Sequence, residues 1–375
     1  MKLGWEIIKL GEIVDIINGK NQSTVISENG QYPIYGSAGN LMGYATDYLC
    51  EKGTTIIGRK GNISNPIFIE ERFWNVDTAF GLYPKNGYDP KFINYLSQTI
   101  DFKSRNRGTT IPSLVKSDIL TIDVPFVSSL PEQQRIVSIL DEAFAAIDKA
   151  KANAEQNLKN AKELFESYLQ GVFENGNWSF IKLSEMATDI SDGDHMPPPK
   201  SEFGLPFITI SNINKQTHKI DFSDTFKVPQ KYYDDLKSNK KPIKGDVLYT
   251  VTGSYGIPVL IEDDFKFCFQ RHIGLIRPSK KLNSKLLYYW ILSPQAFFQA
   301  NETATGTAQK TVSLKSLRNF SFPNIPINEQ QAIVRQLDTL RAETQRLEAI
   351  YQQKLLNLEA LKKSLLQKAF AGELN

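Results

Sequence analysis

Between about Pro131 and Phe173, apolar or small residues recur at alternating spacings of three and four. They are Val137, Leu140, Phe144, Ile147, Ala154, Leu158, Ala161, Phe165, Tyr168 and Val172, with Lys151 the one charged intruder. A helix carrying such a heptad seam requires a partner helix rather than a flat surface. The same chain holds one: from Asn328 onward, Leu337, Leu340, Leu347, Tyr351, Leu358, Leu361 and Leu365 form a second seam. The two stretches open alike, with Pro131-Glu132-Gln133-Gln134-Arg135-Ile136-Val137 against Asn328-Glu329-Gln330-Gln331-Ala332-Ile333-Val334. They also close alike, with Ser167-Tyr168-Leu169-Gln170-Gly171-Val172-Phe173 against Ser364-Leu365-Leu366-Gln367-Lys368-Ala369-Phe370.

The likeness extends beyond the helices. Trp5-Glu6-Ile7-Ile8-Lys9-Leu10-Gly11-Glu12 returns as Trp178-Ser179-Phe180-Ile181-Lys182-Leu183-Ser184-Glu185, and Pro33 falls at the offset of Pro206. Gly53 to Gly61 lines up with Gly245 to Gly253, Pro66 to Glu70 with Pro258 to Glu262, Gly108-Thr109 with Gly306-Thr307, and Pro125 with Pro323. The chain is therefore two copies of one unit, each a globular head followed by a long helix. β-Branched and aromatic runs broken by Gly, Pro and Asn make the heads strand-rich. One short helix is expected per head, at Pro90 to Gln98 and at Ser284 to Leu292. The loops Asp101 to Ser113 and Asn301 to Thr311 are long and polar, as binding loops on rigid scaffolds often are.

The predicted class is α+β. Strand-rich heads occupy 1–129 and 176–326, and long helices occupy 130–175 and 327–375. Only Glu174 to Asn177 join the first helix to the second head, so the second helix must return antiparallel to bury its seam. The expected arrangement is two similar heads held apart by an antiparallel coiled coil, a pseudo-two-fold internal repeat that returns Asn375 near Met1. At about 1.5 Å per residue, about 40 residues give a spacer of about 60 Å at most.

Composition narrows the classes. With 41% hydrophobic and 23% charged residues, the chain is neither disordered nor a membrane protein. It has no apolar run of about 18 residues, and Met1-Lys2-Leu3-Gly4-Trp5-Glu6 is no signal peptide, so a cytoplasmic location is expected. A net charge of +3 confines any nucleic-acid surface to local patches. Cys50 and Cys268 are expected as reduced thiols, and His195, His218 and His272 lack zinc-ligand spacing.

Two related, non-identical heads at a set separation suit a long regular ligand such as duplex DNA, whose grooves recur every ~34 Å. In the first head the candidates are Arg59, Lys60 and Asn62, with Arg105, Arg107 and Thr109 on the long loop. In the second they are Thr252, Ser254 and Tyr255, then Gln270, Arg271 and His272, and Thr307, Gln309 and Lys310. Arg and Lys suit guanine edges and phosphates, Asn and Gln suit adenine, and hydroxyls suit either. Singly, each has a plainer reading. Arg59-Lys60 is also an ordinary turn pair, and the Gly-Thr loops are also hairpin connections. Glu132-Gln133 and Glu329-Gln330 read as first-turn residues favoured by the helix dipole, and His195 as a loop histidine.

Catalytic signatures are lacking. There is no GxxxxGK[ST] phosphate loop. Asn65-Pro66-Ile67-Phe68 lacks the second proline of an adenine-methyltransferase site, and no Gly-rich cofactor loop accompanies it. Asp101-Phe102-Lys103 and Asp264-Phe265-Lys266 have a nuclease-like carboxylate-x-Lys spacing but no metal cluster beside them. An adenine methyltransferase built on Asn65 and a protein-binding coiled-coil scaffold stand as the alternatives to a DNA reader.

Over essentially its whole length the sequence resembles the specificity subunits of type I restriction–modification systems. The likeness rests on Trp5…Leu10-Gly11-Glu12, Trp178…Leu183-Ser184-Glu185, and Asp192-Gly193-Asp194-His195 with Pro197 and Gly204-Leu205-Pro206-Phe207-Ile208. It continues through Gly245-Asp246-Val247-Leu248 with Thr252-Gly253-Ser254, Pro326…Glu329-Gln330-Gln331-Ala332-Ile333-Val334, and Leu361 to Leu374. The resemblance implies two target-recognition domains, each reading half of a bipartite double-stranded DNA target. The long helices would set a gap of about half a turn to one turn and dock two methyltransferase (modification) subunits. Those partners would bring S-adenosylmethionine, and restriction/motor subunits would bring ATP and Mg. The chain itself would carry no cofactor, metal or catalyst. The first head departs from the pattern: Asn18-Gly19-Lys20 and Gly36-Ser37-Ala38-Gly39-Asn40 appear where an Asp-Gly-x-His element is expected.

Overall fold

The computed structural model describes residues 4–307 and 309–374. The expected meeting of Asn375 with Met1 lies outside the described residues. The chain divides into two compact units, Met1–Glu155 with Gln352–Asn375, and Gln156–Tyr351. The long helices run Leu130–Glu174 and Ile327–Phe370, so each unit owns a head and a share of both helices.

The first head is built on a four-stranded sheet in the order Val14–Asn18, Ala79–Pro84, Thr54–Gly58, Ile67–Ile69, all antiparallel. A three-stranded sheet places Tyr32–Tyr35 between antiparallel Leu41–Ala45 and parallel Trp74–Asn75. Trp5–Lys9 pairs with Asp123–Val127 at the exit to the long helix. The second head repeats this plan: Ala187–Asp192, Ile273–Pro278, Val247–Thr250 and Pro258–Leu260 form its four-stranded sheet. Leu205–Ile208 lies between antiparallel Phe226–Val228 and parallel Cys268–Phe269, and Phe180–Lys182 pairs with Ser321–Pro323. The repeat holds to the register, since Ile56 opposes Ile67 as Leu248 opposes Val259. The central strands Thr54–Gly58 and Val247–Thr250 are buried at every position, so they show no alternation of apolar and polar residues.

Within the first unit the helix segments run antiparallel. Arg135 donates to the Leu374 carbonyl, Asp148 lies 3.8 Å from Lys362, and Lys151 lies 3.4 Å from Glu359. In the second unit, Tyr168 donates to Gln336 and Arg341 stacks over Phe165. The seam differs from expectation at its ends. Leu169 and Phe173 are buried whereas Tyr168 is 38% exposed, and Leu366 and Phe370 are buried whereas Leu361 is 46% exposed. The cause is a second neighbour: near a head each helix packs against sheet and helix together, which widens and turns its buried face. Ile136 is buried beside Val137 for the same reason.

Each head is fastened to its helix by the same two devices. The Gln133 side chain, fully buried, accepts from the Asp89 N–H and donates to the Val127 carbonyl. Gln330 accepts from the Asn283 N–H and donates to the Lys281 and Ile325 carbonyls. Two turns further along, Asp141 takes Lys91 and Tyr95, as Asp338 takes Lys285 and Tyr289. The glutamines are thus buried bridges, a correction to their reading as plain first-turn residues. Lys91/Tyr95 and Lys285/Tyr289 lie on the expected helices, here Pro90–Thr99 and Ser284–Leu292.

The expectation of one short helix per head is also too low. Lys116–Leu120, Gln230–Asp235, Pro294–Thr303 and Leu314–Arg318 are helical, and Phe102–Arg105 is a 3-10 turn. These are short or polar segments whose periodicity is weak in sequence.

Candidate nucleic-acid interface

Loops at one end of each four-stranded sheet gather most of the candidate residues. In the first head, Arg59 and Lys60 follow the central strand Thr54–Gly58. The Arg59 N–H and the Lys60 N–H both reach the Thr78 carbonyl, Lys60 bridges to Ser113, and Leu114 N–H returns to the Arg59 carbonyl. The Asn106 side chain accepts from the Gly108 and Ser113 N–H groups, folding the long loop onto this turn. The loop is therefore ordered by its own amide rather than left as an open connection. Lys60, Asn62, Arg105 and Thr109 are exposed. Arg59 is half-buried, with its guanidinium 5.6 Å above the Phe80 ring and 3.4 Å from the Asp77 carbonyl. Arg107 is held by Asp118 at 2.7 Å, and that hydrogen bond keeps the Asp118 carboxyl below its usual range. Its charge is thus already matched.

The second head uses the same backbone scheme. Val251 N–H reaches the His272 carbonyl, Thr252 bridges to Thr311, and Val312 N–H returns to the Val251 carbonyl. Gly253 N–H bonds the Lys310 carbonyl as Gly61 N–H bonds the Pro112 carbonyl. Thr252, Arg271, His272 and Gln309 line one cleft of about 440 Å³ with Asp192 and Thr311. Ser254, Tyr255, Gln309 and Lys310 line another of about 580 Å³, so Gln309 belongs to both. Tyr255 is committed to its own head, because its hydroxyl donates to Asn301 and its ring stacks on Phe297. Gln270 lies beside Arg271, with its backbone bridged to Asp194, and Thr307 is exposed on the Gly306 loop.

Shared backbone bonds allow the two heads to be compared position by position. Gly19 N–H bonds the Ala79 carbonyl as Gly193 N–H bonds the Ile273 carbonyl. A side chain fits at neither glycine, since a Cβ would lie 1.8 Å from the Val76 carbonyl or 2.1 Å from that of Phe269. Asn18-Gly19-Lys20 is therefore the first head's version of Asp192-Gly193-Asp194. On one scaffold, Lys20 stands where the second head has Asp194, Arg59 where it has Val251, Lys60 where it has Thr252, and Asp77 where it has Arg271.

Asp194 was not among the candidates. Burial acts to raise its pKa, but the Tyr232 hydroxyl, the backbone N–H groups of His195 and Met196, and Lys240 together hold it lowered. Exposed His195 lies 2.8 Å from Asp192. The signal for this corner was present in the Asp-Gly-Asp-His spelling, but its partners Tyr232 and Lys240 lie far along the chain.

The alternative chemistries find little support. Asn65 is exposed in the turn before Ile67–Ile69. Asp101 caps the 3-10 turn, and Asp264 accepts from the Lys244 N–H. Cys50 and Cys268 are free, buried, and pushed up to about 12 by that burial. Among the described residues there is no cluster that would hold a metal ion, and no helix is long and apolar enough to cross a membrane.

A strand-rich head built twice, clamped to paired helices and carrying different chemistry at its rim, defines a two-headed recognition protein. Residues 2–159 and 175–357 match the family model described as the type I restriction modification DNA specificity domain, and the chain belongs to that family. The EcoBI type I restriction enzyme specificity subunit of Escherichia coli is 23% identical over 354 residues, 85% of this chain and 73% of that one. The MjaVIII specificity subunit of Methanocaldococcus jannaschii is 24% identical, across 90% of this chain and 86% of its own length. Among solved structures, the HsdS subunit from Thermoanaerobacter tengcongensis shares the fold, with a TM-score of 0.63 at 19% identity over 100% of this chain and 98% of that one. A chain from a study of type I R-M complex assembly and conformational transition shares it at 0.79, also at 19% identity, over 100% and 99%.

Proposed function

We propose that this chain is the DNA-reading specificity subunit of a type I restriction–modification complex, each head reading one part of a bipartite duplex target. The observation that carries this reading is the rim: one backbone scaffold, bonded alike in both heads, presents Lys60 and Arg59 in one, whereas in the other it buries Val251 and Thr252 and presents Arg271 and Gln309. A shared scaffold with different edge chemistry is what two half-sequences require. The long helices dock two methyltransferase subunits, and restriction/motor subunits assemble on that core. Exposed apolar side chains on the helices support docking: Leu164 and Ile350 in the second unit, Leu356 and Leu361 in the first. S-Adenosylmethionine, ATP and Mg enter with those partners, and the chain itself contributes recognition.

The test is to express the chain with its modification subunits and map methylated adenines across the host genome. The expected result is a two-part word interrupted by a fixed gap. A single uninterrupted word would overturn the reading. So would methyl transfer by the purified chain alone that Asn65→Ala abolishes.

A further inference from the structure

An exposed carboxylate on a surface that meets DNA calls for explanation. Asp77 is exposed, and among the described residues no hydrogen bond or ion pair involves its side chain. It lies one residue before Thr78, whose carbonyl accepts from Arg59, so it sits at the rim beside the Arg59 guanidinium. In the second head the residue before His272, whose carbonyl accepts from Val251, is Arg271, exposed and lining the cleft with Gln309 and Thr252. Scaffold bonds on both sides fix the match, since Ala79 and Ile273 take the same bond from Gly19 and Gly193. One position therefore carries opposite charges in the two heads.

Phosphates repel a carboxylate, and in the major groove guanine and thymine offer it only acceptors. In the major groove the donors available to it are exocyclic amines, and the pairing that suits Asp is cytosine N4, whereas Arg suits the O6 and N7 acceptors of guanine. We infer that 77 and 271 are one specificity-determining position used in two senses: Asp77 selects cytosine in the first half-site, and Arg271 selects guanine in the second. Asp77 also works by exclusion, because a base presenting only acceptors there leaves the carboxylate unpaired against the phosphate field. The inference rests on the heads reading DNA, as proposed above, and names the residue in each that chooses one base.

The experiment uses the full chain assembled with its modification subunits, selecting from a pool of duplexes randomised in sequence. Wild type is compared with Asp77→Arg, Asp77→Ala and Arg271→Ala. Asp77→Arg is expected to change the preferred base at one position of the first half-site from cytosine to guanine, by roughly tenfold or more. Asp77→Ala is expected to relax that same position, and Arg271→Ala to relax one position of the second half-site. In each variant the untouched half-site should keep its preferences, which shows that the chain is folded. The inference is overturned if wild type selects a two-part word but Asp77→Arg leaves every base weight in the first half unchanged. Uniform weakening of both halves would also overturn it. Wild type selecting no two-part word would instead remove the functional reading beneath it.

Discussion

Gln133 and Gln330 show how much can depend on a side chain that looks unremarkable in sequence. Each is fully buried with both ends of its amide engaged by backbone. Gln133→Ala leaves the Asp89 N–H and the Val127 carbonyl stranded, and is expected to destabilise the first unit by about 1–3 kcal/mol in urea unfolding. Gln330→Ala is expected to act likewise on the second. The Glu-Gln-Gln repeat was legible; its role was not, because the partner atoms belong to the backbone of a distant loop. His218 gives a pH prediction. Burial lowers its pKa below the ordinary 6.5, its ring donates to the Pro258 carbonyl, and its φ is 55°. The unfolded state therefore takes up the proton first, and stability present above about pH 6.5 is lost as the pH falls below it. Urea midpoints measured on either side of that pH should show the loss. His218→Asn, which tolerates left-handed backbone, should reduce it.

For the elements, the heptad seam revealed the pairing of the helices but not the width of the buried face. Leu140 is fully buried where helix, partner helix and head meet, while Leu158, on the same predicted seam, is only half-buried. Leu140→Ala is expected to cost about 2–5 kcal/mol and Leu158→Ala clearly less, read from denaturant midpoints. Equal losses would mean that the seam alone sets stability. The seam is also unequal chemically. Lys362 lies 4.7 Å from the Phe144 ring and Arg341 lies 5.7 Å from Phe165, so in both units the first helix gives the ring and the second the cation. Aligned Gly and Pro positions showed that the heads repeat, because those residues mark strand ends, but strand order and register came only from the structure. The short polar helices were missed because their periodicity is weak, even where a Pro opens them, as at Pro294.

For the whole molecule, the repeat was the most legible feature and the recognition surface the least. Composition and motif named the candidate residues without their pairings: Arg107 is matched by Asp118 and Tyr255 by Asn301, pairings that no local pattern announces. Trp5 packs edge-on against Phe370, with ring centroids 6.3 Å apart. Joining the two ends with a short linker and opening the chain near Asn175 is therefore expected to preserve folding and the target sequence. A permutant that aggregates, or one that methylates a different word, would contradict this.

Leu366, Ala369 and Phe370 lie in the same buried cluster as Phe92 and Phe126 of the first head. They leave the ribosome only after the entire second head has been made, so the part synthesised first is completed last. Until then its aromatic floor stands open to water, to chaperones and to proteases. A nascent chain that stops short of Leu366 would consequently leave the freshly made head intact and the older one unfinished.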